Sequence, residues 1–323
     1  MPSAAVSVVV VSWNTAALLD TCLQALRADH ESGLADVTVV DNDSADGSAE
    51  LVAERHPWVR LVRAGANLGY GPAINLGAAQ DAPGPAPRWL VPANADVAVH
   101  PGALARLVAT GDTDPGVAVV APRLLLPDGS TQHHVHPFPS LRTLAALHLP
   151  GAARVLPAGR VLEGAWDPDR SADVDWAHGA LLLVRRGPFD AIGGFDAAQW
   201  LYAEDVDIAW RLARAGWRTR YEPGARVTHA VSAAAEQAWA DDGAREDRKQ
   251  AATYAWMRSR YGRRRTAVLA LAGWASARGQ ARRAPAGWRR DRALAHAARH
   301  AAGLRSLRHA PVTVAASPTT TAE

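Results

Sequence analysis

Four side chains in this sequence have the chemical types that a divalent cation or a proton-transfer step requires. Asp96 follows a buried apolar run, where a carboxylate suits Mg²⁺ or Mn²⁺ and the cation in turn bridges the phosphates of a nucleotide. Glu204 and Asp205 open an amphipathic segment, and a helix N-terminus there favours an ionised carboxylate that can act as a base. His229 ends an extended segment and could complete a metal shell as a neutral imidazole. Each feature alone is more typical of a turn, a helix cap or a structural histidine.

Strands and helices alternate along the first hundred residues, which predicts a doubly wound, mostly parallel sheet of the α/β class. Apolar β-branched runs predict strands at 6–12, 37–41, 59–63 and 89–93. The helices expected between them run from Asn14 or Thr15 to Ala28, from 49 to 55 and from 72 to 79. Ligands of such sheets bind at the carboxyl ends of strands. Residues suited to ligand binding follow the predicted strand ends at Asp41, Asn67, Gly69 and Asp96.

A second half of the domain extends from about Val117 to His229. It predicts strands in VAVVAP and GALLLV, a helix in EDVDIAWRLARAG and two short extended segments in TRYEPGARVTH. The glycines of NLGYGPAINLG do not form a dinucleotide fingerprint, because the third glycine would fall at Ile74. This mismatch disfavours a dehydrogenase.

The distribution of charge divides the chain. Residues 1–244 contain 18 arginines and 28 acidic residues, a net charge of −10, whereas residues 245–310 contain 17 basic and 3 acidic residues, a net charge of +14. We therefore predict an acidic domain at 1–244, a basic helical extension at 245–310 and a disordered tail at 311–323. The sequence has no signal peptide and no apolar run of membrane-spanning length, and we expect a cytoplasmic protein.

The basic extension has three interpretations. Its segment YAWMRSRYGRRRTAVLALAGWASARG mixes tryptophan, leucine and arginine, a composition that favours an interfacial helix on an anionic membrane, on the inner face of the cell membrane. A solvated helical tail, or one that forms a homodimer, is the second interpretation. Nucleic-acid binding is the least favoured.

Six segments stand in an order that resembles one enzyme family. They are VSVVVVSWN, VVDNDSADGS, NLGYGPAINLG, WLVPANADVAVHPGAL, GALLLVRRGPFDAIGGFD and YAEDVDIAWRLARAGWRTRYEPGARVTH. Together they resemble the family 2 glycosyltransferases, and within them the rhamnosyltransferase-like group, over roughly residues 5–232. The resemblance implies a GT-A fold and metal-dependent, inverting transfer of a sugar from a nucleotide-diphosphate donor. It also implies a glycan or polyprenyl-linked acceptor in cell-envelope polysaccharide synthesis.

The resemblance also implies roles for individual residues. Asp205 matches the general base, Glu204 lies beside it near the acceptor, and Asp96 and His229 match the metal ligands. Donor-binding roles fall on Ser12, Trp13, Asn14, Asp41, Asn42, Asn67, Gly69 and Asn94. Gly179 and Ala180 match the acceptor side.

Three departures leave the nucleotide open among dTDP, UDP and GDP. Asn94 replaces the first acid of the DxD motif, Asn42 stands where some members carry a second aspartate, and Trp13 replaces a common tyrosine. The first choice is L-rhamnose from dTDP-rhamnose, with galactofuranosyl, glucosyl and mannosyl transfer as alternatives. A nucleotidyltransferase and a non-catalytic sugar-nucleotide binder are the other classes, although SWNTAALL lacks the glycine-rich, basic loop that nucleotidyl transfer requires.

Overall fold

The structure is a computed structural model that describes residues 4–80, 86–149, 151–199, 201–230 and 242–307. A nine-stranded sheet has the order β3-β2-β1-β4-β10-β6-β11-β5, with β8 beside β11. Its strands are β1 Val6–Ser12, β2 Ala35–Asp41, β3 Arg60–Arg63, β4 Trp89–Asn94, β5 Val97–Val99, β6 Val117–Leu125, β8 Ala172–Val174, β10 Leu183–Arg185 and β11 Arg218–His229. A second sheet pairs β7 Val135–His136 with β9 Trp176–Ala177.

Helices cover both faces of the large sheet. They are α1 Ala16–Glu31, α2 Ser48–Arg55, α3 Tyr70–Ala78, α4 Ala103–Thr113, α5 Leu141–His148, α6 Ala152–Val155, α7 Arg186–Ala191, α8 Glu204–Arg214, α9 Asp242–Tyr261, α10 Arg263–Arg283 and α11 Trp288–Ser306. Alternate residues of β1 face opposite layers: Val8 packs in a core with α1 and α4, and Val9 packs in a core with α3 and α8. Burial of both faces explains why this strand is a continuous β-branched run.

The first half of the sheet is parallel, as predicted. β3, β2, β1 and β4 run in the same direction, and the element bounds differ from the predicted ones by at most three residues. The third helix begins at Tyr70 rather than at Pro72, because a proline is as acceptable within the first turn as at its first position. The carboxyl ends of β1, β2 and β4 therefore meet at one edge.

The second half of the sheet is mixed and departs from two predictions. The segment TRYEPGARVTH forms one strand, β11, rather than two, with a register break against β6 between Glu222 and Arg226. In GALLLV only the last residues belong to β10, and Leu181 makes an isolated bridge to Ala93. Just before β10, Leu182 donates to the carbonyl of Pro92 and Ala180 accepts the N–H of Asn94, so contact with β4 continues there.

The C-terminal region is helical from 242 to 306, as the composition indicated. The predicted tail at 311–323 lies outside the described residues. Trp256 of α9 is fully buried and belongs to a cluster with Ala203 and Val206 of the main domain. Of the helices that the structure describes, none combines the length and the apolar character that crossing a membrane requires.

Candidate functional site

The first part of the site is a carboxylate and an imidazole that two antiparallel strands bring together. Asp96 lies in the two-residue connection between β4 and β5, and His229 is the last residue of β11. The strands pair so that His229 stands opposite Val97, the neighbour of Asp96. The Nε2 atom of His229 lies 3.4 Å from Oδ1 of Asp96, with the two side chains 11% and 10% exposed. The register of this strand pair thus sets the two predicted metal ligands side by side.

Gln132 fixes the orientation of the His229 ring. Its Oε1 lies 2.9 Å from Nδ1 of His229, and because an amide oxygen only accepts, Nδ1 carries the proton. In the neutral imidazole, Nε2, the nitrogen facing Asp96, then carries the lone pair that a metal-binding histidine requires. No group of three or more His, Cys, Asp or Glu side chains able to hold a metal occurs in the described part of the chain. A cation held by Asp96 and His229 would take its other ligands from phosphate oxygens and water.

The second part of the site is the first turn of α8, which carries Glu204 and Asp205. Its N-cap residue, Ala203, makes no side-chain cap. Oδ1 of Asp205 accepts the N–H of Val206 at 2.7 Å, and Oδ2 accepts the N–H of Gly179 at 3.3 Å. Glu204 accepts the N–H of Ala203 at 2.9 Å. The acids are therefore not plain helix caps, and Asp205 is held by a distant glycine.

Burial dominates the electrostatics of this pair. Loss of water raises the pKa of both Glu204 and Asp205, and the charge of Asp205 raises the pKa of Glu204 further. The N–H groups of Val206 and Gly179, followed by the charge of Lys249, act in the opposite direction on Asp205. The helix N-terminus is thus only one contributor, and Asp205 is the acid of the pair that ionises more readily.

Tyr70 connects the two parts of the site. Its hydroxyl donates to the carbonyl of Gly179 at 2.7 Å. Gly179 in turn donates to Asp205, and burial together with the charges of Glu204, Asp205 and Asp96 raises the pKa of Tyr70. A backbone bond of 2.9 Å from the N–H of Asn94 to the carbonyl of Ala180 joins the DxD-like turn to the predicted acceptor side. The structure thus brings Asp96, His229 and the α8 acids to one region.

The residues predicted to bind the donor lie at the edge of the sheet where the parallel strands β1, β2 and β4 have their carboxyl ends. Pairing sets Ser12 opposite Asp41 and Val11 opposite Asn94. Two buried oxygens at this edge, Oδ1 of Asp41 and Oδ1 of Asn42, accept no hydrogen bond within the described ranges. Because buried polar atoms are normally satisfied, these oxygens are available to a ligand.

Two loops shape this edge. Asn42 donates from Nδ2 to the carbonyl of Gly69 at 3.2 Å, and the N–H of Gly69 donates to Oδ1 of Asn67 at 3.0 Å. Gly69 has a φ of 81°, a conformation that glycine adopts without strain. In the other loop, Asn14 accepts the N–H of Ala45 at 2.8 Å, and half-buried Trp13 stands next to it. Hydrogen bonds between loops therefore join the predicted donor-binding residues into one surface.

Sequence reasoning missed Asp207. It is fully buried and accepts hydrogen bonds from Nε of Arg211 at 2.7 Å, Nε1 of Trp256 at 3.0 Å and Nε of Arg260 at 2.6 Å. These bonds tie α9 to α8 two residues from Asp205. The spacing of Asp207 and Arg211 is typical of an exposed helical ion pair, so no local pattern indicated this burial.

Lys249 was also missed. It is the single lysine of the chain. Its Nζ lies 5.7 Å from the ring centre of Tyr202, a residue that precedes the first turn of α8. Its charge favours the ionised form of Asp205. A lone lysine in an arginine-rich segment was the available signal.

Comparison with known proteins now decides the family. Residues 2–250 match the family model described as "Glycosyltransferase like family 2". The chain belongs to the family 2 glycosyltransferases. This confirms the resemblance drawn from the six segments and makes the protein a glycosyltransferase.

Two curated relatives carry more specific names. An N-acetylglucosaminyl-diphospho-decaprenol L-rhamnosyltransferase of Mycobacterium tuberculosis is 35% identical over 236 residues, 69% of this chain and 75% of the relative. Rhamnosyltransferase WbbL of Escherichia coli is 41% identical over 56 residues, 17% of this chain and 21% of its own.

Solved structures confirm the GT-A-like fold. Mannosyltransferase PcManGT from Pyrobaculum calidifontis, in complex with GDP-Man and Mn²⁺, matches with a TM-score of 0.58 and 19% identity over 94% of this chain and 88% of that one. GalNAc-T7 with UDP, GalNAc and Mn²⁺ matches with a TM-score of 0.52 and 17% identity over 69% of this chain, which spans only 42% of that protein. At 17% and 19% sequence identity, these similarities are evidence for the fold only.

Proposed function

We propose that this enzyme transfers L-rhamnose, with inversion, from dTDP-rhamnose to an N-acetylglucosaminyl-diphosphate carried on a polyprenol. The observation that carries the reaction type is Asp205, a half-buried carboxylate held by Gly179, in the same region as Asp96 and His229. The name of the Mycobacterium tuberculosis relative supports the sugar and the acceptor.

A divalent cation, Mg²⁺ or Mn²⁺, fits the donor set on the first part of the site. Asp96 offers a hard carboxylate, and His229 offers an Nε2 lone pair fixed by Gln132. When bound there, the cation would neutralise charge on the diphosphate leaving group. Solved structures of similar fold contain Mn²⁺, which supports metal use without choosing between the two ions.

Proton transfer falls to Asp205. Its pKa is raised by burial but opposed by two N–H bonds and by Lys249, whereas the pKa of Glu204 is raised by burial and by its neighbour. Glu204 therefore holds a proton while Asp205 is ionised. Asp205 removes the proton of the acceptor hydroxyl as that oxygen attacks the anomeric carbon, and one displacement inverts the configuration. The chain then needs no protein nucleophile.

The donor is tested by a thermal-shift screen of dTDP-rhamnose, UDP-sugars and GDP-sugars, each with and without Mg²⁺ or Mn²⁺. A ligand at 100 times its Kd stabilises the folded state by about 2.7 kcal/mol. We expect the largest metal-dependent shift with dTDP-rhamnose, and rhamnosylated lipid as the product when the acceptor is added. A larger shift with another sugar nucleotide, accompanied by transfer of that sugar, would replace the donor assignment.

We also propose that the basic helices α10 and α11 bind an anionic membrane surface. Exposed arginines face solvent at Arg282, Arg283, Arg289 and Arg290, and each adds about 1 kcal/mol near an anionic leaflet. Replacement of all four by glutamine should lower co-sedimentation with anionic liposomes. The matched control replaces four exposed arginines of the acidic domain, Arg27, Arg55, Arg63 and Arg88. Equal sedimentation of both variants would remove the proposal.

A further inference from the structure

A groove of about 680 Å³ is bordered by α5, β8, α8 and α10. Its lining is aromatic and aliphatic, with Phe138, Trp210, Tyr261 and Leu269 among the residues that form it. The volume falls within the range of small-molecule pockets, about 300–1,000 Å³. The chemistry proposed for Asp205 makes no use of this space.

Exposed apolar side chains extend the lining onto the surface. Leu141 of α5 is 57% exposed and Val268 of α10 is 53% exposed, and both line the groove. Leu271, one turn further along α10, is 54% exposed. Contiguous apolar surface of this kind marks a binding site for an apolar partner.

Two arginines border the same groove. Arg142 lies on α5, and Arg265 lies on α10 with its guanidinium 4.2 Å from the ring centre of Tyr261. Neither is paired with an acid in the part of the chain that the structure describes. Their charges are therefore available to an anionic group at the mouth of an apolar groove.

The two acids of the lining do not compete for these arginines. Asp173 is paired with Arg218 at 2.9 Å and with Arg220 at 2.5 Å. Asp175 accepts the N–H of Phe138 at 2.7 Å, and burial raises its pKa. The groove thus combines an apolar floor with two available positive charges.

The groove leads towards the catalytic base along β9. Asp175 lines the groove, Trp176 follows it in β9, and Gly179, which donates to Asp205, stands four residues after Asp175. Four residues of extended chain span at most about 14 Å. A sugar joined to a diphosphate can bridge such a distance, so one molecule could reach both places.

We propose that this groove binds the first isoprenoid units of a polyprenyl-diphosphate acceptor, with Arg142 and Arg265 at its diphosphate. The proposal rests on the function proposed above, because it assigns the lipid of that acceptor a place. Apolar burial of the isoprenoid and charge complementarity at the diphosphate determine the occupant. The sugar end of the acceptor then lies beside Asp205.

The test compares two synthetic acceptors, N-acetylglucosamine diphosphate linked to farnesol and the same head group linked to ethanol. Val268→Asp places a charge in the lining, whereas Val155→Asp makes the same change at a residue that is 79% exposed and outside the lining. We expect the ratio of kcat/KM for the farnesyl over the ethyl acceptor to fall at least tenfold in Val268→Asp and in Leu141→Asp. The ratio of Val155→Asp should stay within twofold of wild type.

If the wild-type enzyme uses both acceptors equally well, the groove does not bind the isoprenoid, although the proposed function remains intact. If no acceptor is glycosylated, binding still tests the groove. A fluorescent farnesyl diphosphate, titrated by energy transfer from tryptophan, should bind at least tenfold more weakly to Val268→Asp than to Val155→Asp. Equal binding of the probe by the two variants would overturn the proposal. A difference between the variants that appears only when the probe is presented in anionic vesicles would also overturn it.

Discussion

The predicted donor side and the predicted acceptor side of this site are built in different ways. The donor side consists of the ends of β1, β2 and β4, three neighbouring parallel strands from the first hundred residues. The acceptor side joins Gly179 to Asp205 and Asp207 to Trp256, contacts that cross 26 and 49 residues of chain. Regular pairing of parallel strands therefore makes the first surface, whereas single side-chain hydrogen bonds between separate elements make the second.

This difference predicts different consequences of mutation. A change on the donor side should alter ligand affinity and leave the fold intact, because strand pairing holds the edge. A change on the predicted acceptor side should alter turnover or stability, because Asp207 is fully buried and Glu204 and Asp205 are half-buried among few partners. The following variants separate these outcomes, from the largest expected effect to the smallest.

Asp205→Asn should lower kcat by about 10²–10⁴ because general-base assistance is lost. The amide keeps the shape of the side chain, so donor affinity measured by calorimetry should stay near wild type. Steady-state kinetics with the lipid-linked acceptor provides the turnover. Near-normal turnover would remove Asp205 as the base, and lost donor binding would contradict the separation of the two sides.

Asp207→Asn should destabilise the fold by about 3 kcal/mol or more, because it leaves Arg211 and Arg260 without their buried acid. Urea unfolding at neutral pH measures the loss. Asp190→Asn is the matched control, since its pair with Arg186 has the same helical spacing but a 52% exposed acid, and it should cost less than about 1 kcal/mol. Similar losses in both variants would show that the bonds from Asp207 to α9 stabilise the fold no more than an exposed ion pair does.

Asp96→Ala should weaken donor binding in the presence of metal by tenfold or more, with little change to the free energy of unfolding. Gln132→Ala should produce a smaller loss than Asp96→Ala, because Gln132 orients His229 and does not itself bind the cation. Calorimetric titration of donor with and without Mn²⁺ measures both. If wild type binds donor equally well without metal, the metal site is contradicted.

The pH dependence of stability should expose the buried acids. Burial raises the pKa of Glu204 and Asp205, so the folded state favours their protonated forms. Their contribution to stability is complete below the ordinary pKa values of the unfolded chain and is lost as pH rises through the raised folded values. Glu204→Gln should therefore lose less stability than wild type between about pH 5 and about pH 9.

Denaturant titration at several pH values measures this slope. Glu50→Gln is the control, since Glu50 is an exposed acid whose pKa is lowered by backbone and Arg63 hydrogen bonds, and it should keep the wild-type slope. Identical slopes for wild type and Glu204→Gln would mean that Glu204 is already ionised in the folded protein.

The sequence by itself determined the fold of the first half and the types of residue at the site. β-branched runs such as VSVVVV predict strands because buried parallel strands need apolar side chains on both faces. Order and spacing of six segments identified the family. Asp96, Asp205 and His229 stand at strand ends or at a helix start, which short windows of sequence reveal, but the resemblance to the family singled them out.

Only the tertiary structure decided how these residues meet and what surrounds them. The 3.4 Å approach of His229 to Asp96 depends on the register of β5 with β11, which no local pattern specifies. The helical spacing of Asp207 and Arg211 is typical of a surface ion pair, but in the structure Trp256 and Arg260 enclose Asp207. The protonation preference of Glu204 likewise follows from burial. Burial and register are properties of packing between distant segments, and this is the physical reason that local sequence does not contain them.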